Sequence, residues 1–67
     1  MKSKYNIGNE IYFCFYNEIL QGKIYKIVKD KYDIIWYGVC SSTGCKYTVD
    51  EKNCYLDKNT ALKYLKM

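Results

Sequence analysis

The sequence contains no arginine, no proline and no histidine, and Ala61 is its only alanine. All eleven basic residues are therefore lysines. Without arginine the chain lacks the planar side chain that binds bases and phosphates through two parallel hydrogen bonds. Without histidine it lacks the commonest general base. Lys, Tyr, Ile and Asn are all plentiful and have A/T-rich codons, so part of the count of nine tyrosines reflects codon usage.

Signatures of catalysis are also missing. The chain has no glycine-rich phosphate loop and no His-x-x-x-His metal motif. Asp50 and Glu51 are adjacent carboxylates, but neighbours on a strand point to opposite faces and do not form an acid/base pair. A cysteine nucleophile would have no histidine to lower its pKa. We expect no enzymatic activity, no catalytic residue, no cofactor and no small-molecule substrate.

Long apolar runs are absent as well. No stretch approaches the roughly 20 apolar residues that a membrane-spanning helix needs. Residues 5–10 are polar where a signal peptide would have its apolar region. These observations favour a cytoplasmic protein that does not interact with membranes.

The four cysteines, Cys14, Cys40, Cys45 and Cys54, have two interpretations. In a short secreted chain they would suggest two disulfides, whereas reduced thiols are expected in the cytosol. Cys40 and Cys45 flank residues 41–44, a candidate hairpin loop, and a disulfide across this loop stays open as an alternative. Structural zinc sites use closely spaced cysteine pairs. Cys14 and Cys54 stand alone in apolar stretches, so we predict small buried side chains and no metal site.

The length of 67 residues predicts one domain over 1–67. A domain of this size buries only about 60% of the surface that its unfolded chain exposes, so its stability is expected to be marginal. Nearly half of the residues are hydrophobic and the charged fraction is ordinary, which argues against disorder.

Period-two alternation of apolar residues is the main structural signal. It predicts a first strand over about residues 10–16, entered from a turn at residues 8–9. The side chains expected to face inward are Ile11, Phe13 and Phe15. Those expected on the opposite face are Tyr12, Cys14 and Tyr16.

The segment 19–29 fits two patterns. Its apolar residues also follow helical spacing, but Gly22 and the many β-branched and aromatic residues favour a strand. We predict one long strand with a bulge near Tyr25 and Lys26, so that Ile24 and Ile27 both face inward.

Two further strands are predicted, over about residues 32–39 and 45–50. In the first, Tyr32, Ile34 and Trp36 alternate with Ile35 and Tyr37, and we place the latter two on an outer face. In the second, Tyr47 and Val49 are expected to face inward.

The last segment changes to helical spacing and predicts a helix over about residues 58–66. Asp57 is a suitable N-cap, and Leu56 before it is expected to pack back onto the helix as a hydrophobic staple. The apolar stripe consists of Ala61, Leu62 and Leu65. So short a helix is not stable alone and must dock on the sheet.

The order of these signals resembles a recurring type of short phage and mobile-element protein from low-GC bacteria. The segments that carry the resemblance are 7–13, 19–27, 32–34, 47–51 and 55–58. The opening pattern, Gly-x-x-Ile followed by Ile-x-x-Gly-x-Ile, is also shared with Tudor-like and KOW-like barrels. The resemblance implies a small Src-homology-3-like barrel of four to five antiparallel strands with a short C-terminal helix. Such barrels have many unrelated binding roles, so it bears on fold more than on function.

Two binding hypotheses follow for this expected non-catalytic module. The first is docking on a host or phage protein, with inhibition of that protein as one outcome. It rests on outer-face residues that would form an aromatic interface, namely Tyr12, Tyr16, Tyr25, Ile35 and Tyr37. Coverage by the helix, or self-association, would hide the same face.

The alternative is non-specific nucleic-acid binding. The formal net charge is +4 and the isoelectric point about 8.9. Basic residues interleaved with an aromatic ring are typical of surfaces that hold single strands. The residues concerned are Lys23, Tyr25, Lys26, Lys29 and Lys31. A solvated lysine face without a ligand is the simpler interpretation of the same pattern.

Overall fold

A computed structural model describes residues 3–65 of the chain. For Leu65 it describes the backbone alone. The five strands are β1 (Glu10–Phe15), β2 (Glu18–Lys29), β3 (Ile35–Ser41), β4 (Lys46–Asp50) and β5 (Cys54–Tyr55). A 3₁₀ turn (Glu51–Asn53) precedes β5, and one helix, α1 (Lys58–Leu65), follows it. The predicted mostly-β fold with a short C-terminal helix is confirmed, although the predicted last helical residue, 66, lies outside the described residues.

The strands form one antiparallel sheet in the order β4-β3-β2-β1-β5. β4 and β5 lie at its two edges, and the sheet is not closed by pairing between them. Within residues 3–65, no helix has the length and apolar character needed to cross a membrane.

The β1–β2 connection is a two-residue hairpin turn. Tyr16 and Asn17 both have positive φ, 49° and 63°. This backbone matches a type I′ turn, whose twist suits antiparallel strands. β1 therefore ends at Phe15, one residue before the predicted end, and Tyr16 lies at the tip of the hairpin.

The predicted bulge in β2 is confirmed. Ile24 pairs with Val39 and Lys26 pairs with Gly38, so Tyr25 is the extra residue. The insertion restores the inward direction three residues after Ile24, because it shifts the alternation by one position. Ile24 is buried and Ile27 packs against the core, as predicted.

The predicted start of the third strand at residue 32 is wrong. The Asp30 carboxylate accepts hydrogen bonds from the backbone N–H groups of Tyr32 and Ile34, at 2.8 and 3.0 Å. These bonds fold residues 30–34 into a turn, an arrangement for which aspartate is well suited. β3 begins only at Ile35, and both Tyr32 and Ile34 are exposed.

One face of the sheet, here called the inner face, carries the hydrophobic core. The buried residues of this cluster are Tyr5, Ile11, Phe13, Ile24, Tyr37, Val39, Val49 and Cys54. Tyr47 packs against them, so the predicted inward direction of Tyr47 and Val49 is confirmed. The predicted outer position of Tyr37 and Ile35 is wrong: Tyr37 is 0% exposed and Ile35 packs against the core. Phe15, also predicted to face inward, is partly exposed at the sheet end.

The helix packs on the opposite face of the sheet, here called the outer face. Ala61 is completely buried yet lies outside the inner cluster, and its carbonyl oxygen lies 4.0 Å from Cys14 Sγ. Tyr64 stacks on Tyr55 with ring centroids 5.3 Å apart. The helix therefore packs on β1, β2 and β5, and within residues 3–65 it makes no comparable contact with β3 or β4.

Side chains at the start of the helix agree only in part with prediction. Asp57 Oδ2 accepts a hydrogen bond from the Thr60 backbone N–H at 3.3 Å, which confirms the N-cap. Leu56 is 63% exposed, so the predicted staple is wrong.

The four cysteines are free thiols. Cys54 is buried as predicted, and Cys14 is half-buried under the helix. Cys40 lies opposite Lys46, while the Ser41 N–H donates to the Cys45 carbonyl at 2.8 Å. Cys40 and Cys45 therefore do not face each other across the β3–β4 loop, which corrects the predicted juxtaposition.

Candidate functional site

The uncovered part of the outer face consists of three rows of side chains that cross β2, β3 and β4. Pairing of the strands defines each row. The rows are Lys23–Cys40–Lys46, Lys26–Gly38–Thr48 and Val28–Trp36–Asp50. Strand alternation puts all three on the face opposite the core.

Tyr25 lies across this surface because of the bulge. A Cβ atom built on Gly38 would be 3.0 Å from Tyr25 Cζ and 3.0 Å from Lys26 Cβ. The tyrosine ring therefore rests on the backbone of Gly38, where any larger residue would displace it. One side of the ring is packed against the sheet, and the side chain remains partly exposed.

Lysines surround this ring. The ammonium group of Lys46 lies 5.4 Å from the centre of the Tyr25 ring, within the range of a cation–π contact. Lys26 shares the bulge with Tyr25, and Lys23 is one row away on the same strand. We name these four exposed residues, Lys23, Tyr25, Lys26 and Lys46, the lysine–tyrosine face. Glu10 lies opposite Lys23 in the β1–β2 pairing and gives this face one negative border.

An apolar border lies on the other side, where Val28 is next to Trp36. The indole N–H of Trp36 donates to Asp30 Oδ2 at 2.9 Å. This hydrogen bond is the main reason that the pKa of Asp30 is below its ordinary value. The bond fixes the indole at the end of the lysine–tyrosine face.

A groove of about 520 Å³ borders the face near Lys23. Its walls come from β1, β2, the end of β3 and the loop that follows it, and include Glu10, Gln21 and Ser41. The Gln21 amide donates to Glu10 Oε2 at 3.0 Å. The groove is an extension of the surface with polar groups along one wall.

The structure separates the residues that the sequence suggested for nucleic-acid binding. Lys23, Tyr25 and Lys26 lie together on the outer face. Lys29 instead forms an ion pair with Asp33 at 3.1 Å, and Lys31 lies beside its neighbour Tyr32 in the 30–34 turn.

Lys46 was not among the residues predicted to bind nucleic acid, although the alternation of residues 46–49 indicates its direction. The predicted inward direction of Tyr47 and Val49 already implied an outward Lys46. Its position beside Tyr25 depends on the pairing of β4 with β3 and β3 with β2, which the sequence alone does not determine.

The residues suggested for protein binding do not form one surface. Ile35 and Tyr37 belong to the inner face, and Tyr12 is half-buried on β1. Tyr25 belongs to the lysine–tyrosine face, while Tyr16 is 86% exposed at the β1–β2 hairpin tip. The reversed face of β3 removes Ile35 and Tyr37 from the predicted surface, whereas Tyr16 is separated from Tyr25 by its position at the hairpin tip.

A smaller aromatic cluster surrounds the hairpin tip. The Phe15 ring contacts Tyr16 edge-on with centroids 4.5 Å apart, and it also contacts Tyr47 at 5.0 Å. Tyr47 continues the contact to the buried Phe13 at 5.1 Å. The cluster anchors an exposed aromatic residue to the core.

Cys54 is the one buried thiol among the described cysteines. Burial raises the pKa of the Cys54 thiol to about 12, which keeps this thiol protonated at neutral pH. Among residues 3–65, no cluster of three or more cysteine, aspartate or glutamate side chains is placed to hold a metal ion. What the outer face offers is positive charge and a supported aromatic ring.

Comparison of the chain with protein-family models, curated proteins and solved structures found no match.

Proposed function

We propose that this protein is a non-catalytic module that binds single-stranded nucleic acid without sequence specificity through its lysine–tyrosine face. The observation that carries the proposal is the position of Tyr25, whose ring rests on Gly38, with Lys26 next to it in the bulge and the Lys46 ammonium over the ring. An aromatic ring held on a sheet and flanked by cations suits a nucleotide, because the base stacks and the phosphates meet positive charge.

The residue types favour a single strand over specific recognition of a duplex. Lysine is a point charge that contacts phosphate without a fixed geometry, whereas base reading relies on paired hydrogen bonds. Stacking on Tyr25 requires an unpaired base.

For the fold, we propose a small Src-homology-3-like barrel. Its support is the strand order β4-β3-β2-β1-β5 together with the 3₁₀ turn directly before a two-residue β5. The strong bulge in β2 also suits a sheet that curls around one core. Small barrels of this type have many unrelated binding roles, so the function is proposed from the surface residues and not from the fold.

Docking on a host or phage protein is the second candidate. The observation that favours it is Tyr16, which is 86% exposed at a positive φ of 49°. A bulky residue is unfavourable in this conformation, so a large exposed ring there is more consistent with a contact than with turn formation. The surface is smaller than the predicted aromatic face, since Ile35 and Tyr37 do not contribute to it.

The test is fluorescence anisotropy with labelled random 20-nucleotide DNA and RNA, titrated at several salt concentrations. The double variant Lys26→Glu, Lys46→Glu is expected to weaken binding strongly. Loss of two phosphate contacts should lower the slope of log K against log salt by about 1.4.

The matched control is Lys58→Glu with Lys63→Glu, which makes the same charge change on exposed helix residues. It is expected to retain most of the affinity and the salt slope. Equal losses in the two double variants would mean that only net charge matters, and the proposed face would be wrong. Two results together would favour docking on a host or phage protein. The unmodified protein would bind no oligonucleotide but would capture a protein from lysate, and Tyr16→Ala would lose this capture.

A further inference from the structure

Strand β4 lies at one edge of the sheet. Within residues 3–65 it pairs with β3 and with no other strand. The Ser41 N–H donates to the Cys45 carbonyl, which makes Ser41 and Cys45 a hydrogen-bonded pair. Such pairs alternate along an antiparallel ladder, so Tyr47 and Val49 direct their backbone groups toward β3. Lys46, Thr48 and Asp50 therefore direct theirs away from the sheet.

The sequence of this edge is complementary to itself. Consider a second copy of β4 that runs antiparallel to the first, with the two Thr48 residues opposite each other. Lys46 of each copy then lies opposite Asp50 of the other copy. Tyr47 lies opposite Val49 in the same way. Opposite charges and aromatic–β-branched pairs are favourable across antiparallel strands, each by about 0.2–1 kcal/mol.

We propose that two copies of this protein associate through their β4 edges, around a twofold axis at Thr48. The outward backbone groups of Thr48 would exchange two hydrogen bonds across the axis. The Asp50 N–H would donate to the Lys46 carbonyl of the other copy on each side. Two five-stranded sheets then form one continuous ten-stranded sheet, and the interface is closed because both copies use the same residues.

Other registers do not give this complementarity. With the axis at Tyr47, Lys46 would face Thr48 and Asp50 would face Gly44 of the second copy. With the axis at Val49, Lys46 would face Lys52. Only the register centred on Thr48 pairs both charges of the strand with opposite charges.

Charged residues on an edge strand often serve to prevent association. β4 differs from that pattern because its two charges have opposite sign and lie symmetrically, two residues on either side of Thr48. They repel a misaligned strand but attract a second copy of β4 in the aligned register. The edge thereby selects its own copy.

The dimer has a consequence that rests on the proposed function. A twofold axis perpendicular to the sheet keeps the same face of each copy on one side. The two lysine–tyrosine faces would be adjacent, with a Lys46 from each copy near the seam. One strand of nucleic acid could then contact both copies and gain from bivalent binding.

Analytical ultracentrifugation of the free protein, without nucleic acid, tests the dimer separately from the binding function. We expect a concentration-dependent dimer for the unmodified chain and for Thr48→Val, which keeps the backbone N–H. Thr48→Pro removes an N–H that points away from β3, so the β3–β4 ladder should remain while the dimer dissociation constant rises at least tenfold.

A charge-exchange series provides a second criterion that does not depend on proline. Lys46→Asp alone and Asp50→Lys alone should each weaken the dimer, because like charges then lie opposite each other. The combination of both should restore it. A monomeric unmodified chain at the highest soluble concentration, or single and double charge variants with equal dissociation constants, would overturn the proposal.

Discussion

The hydroxyl of Tyr37 donates a hydrogen bond of 2.6 Å to Glu51 Oε2 and thereby links the centre of β3 to the turn before β5. The same carboxylate oxygen accepts the Lys4 N–H at 2.9 Å, and the Tyr37 hydroxyl accepts the Tyr5 N–H at 3.1 Å. The N-terminal segment is therefore fixed to the core by a polar network. Burial, followed by the bond to Glu51, raises the pKa of Tyr37 to about 12.

Removal of this one hydroxyl is expected to destabilise the protein. Tyr37→Phe leaves the Tyr5 N–H without its acceptor inside the core and removes one of the two hydrogen-bond donors to Glu51 Oε2. The expected loss in unfolding free energy is about 1–3 kcal/mol, measured by urea denaturation. Tyr64→Phe, which removes an exposed tyrosine hydroxyl, serves as the control and should change stability little.

The free energy of unfolding should fall at both low and high pH. The pKa values of Glu51 and Tyr37 determine the pH ranges of the two losses. The hydrogen bond from Tyr37 lowers the pKa of Glu51 below its ordinary value of 4.5. Its contribution is therefore present above pH 4.5 and is lost as pH falls through the lowered folded pKa. The pKa of Tyr37 is raised from 10.0 to about 12, so its contribution is present below pH 10 and is lost as pH rises toward 12.

Urea midpoints measured from pH 2 to pH 12 check both the acidic and the alkaline loss of stability. Glu51→Gln should reduce the dependence of the urea midpoint on pH on the acidic side, because the carboxylate is then absent. An unchanged acidic slope in Glu51→Gln would show that other carboxylates cause the acid loss.

Two glycines of the sheet should respond differently to alanine. A Cβ on Gly22 would overlap Val39 Cγ1 and lie 2.9 Å from the Cys40 carbonyl oxygen, so Gly22→Ala should cost about 1–3 kcal/mol of stability. A Cβ on Gly38 would instead displace the Tyr25 ring on the surface. We expect Gly38→Ala to weaken oligonucleotide binding with a smaller loss of stability. Anisotropy and urea denaturation of both variants, side by side, check this separation.

The aromatic contribution can be separated from the charges. Tyr25→Ala removes the stacking ring and should weaken single-strand binding by about 1–3 kcal/mol, while its salt slope stays unchanged. Tyr25→Phe keeps the ring and should bind almost as well as the unmodified protein. If both variants lose the same affinity, the hydroxyl and not stacking is responsible, and the assigned role of Tyr25 is wrong.

Most of the local structure followed from the sequence because it depends on neighbouring residues. The β2 bulge was predicted from the need for Ile24 and Ile27 to share a face, and the helix start from Asp57 as a cap. Both features arise from short-range geometry, and the structure confirms both.

The face of β3 was not predictable by alternation alone. Ile34, Ile35, Trp36 and Tyr37 are all apolar or aromatic, so period two fits either face equally well. The choice is made by distant groups: Glu51 and the Tyr5 N–H satisfy the Tyr37 hydroxyl inside the core. This single reversal removed Ile35 and Tyr37 from the suggested protein-binding surface.

The candidate site was predicted only in part for the same reason. Lys23, Tyr25 and Lys26 are close in sequence and were identified together. Lys46 and Gly38 join them through strand pairing, which a linear pattern does not contain. Lys29 lies opposite Ile35 on the other face of β2, because alternation after the bulge puts it on the same face as Ile27.

An NMR titration of ¹⁵N-labelled protein with an unlabelled single-stranded oligonucleotide at low salt tests nucleic-acid binding at the lysine–tyrosine face most directly. Such binding should shift the amide signals of Lys23, Tyr25, Lys26, Gly38 and Lys46, and the shifts should disappear at high salt. The absence of shifts, or shifts concentrated at the Tyr16 hairpin tip, would show that this face does not bind nucleic acid.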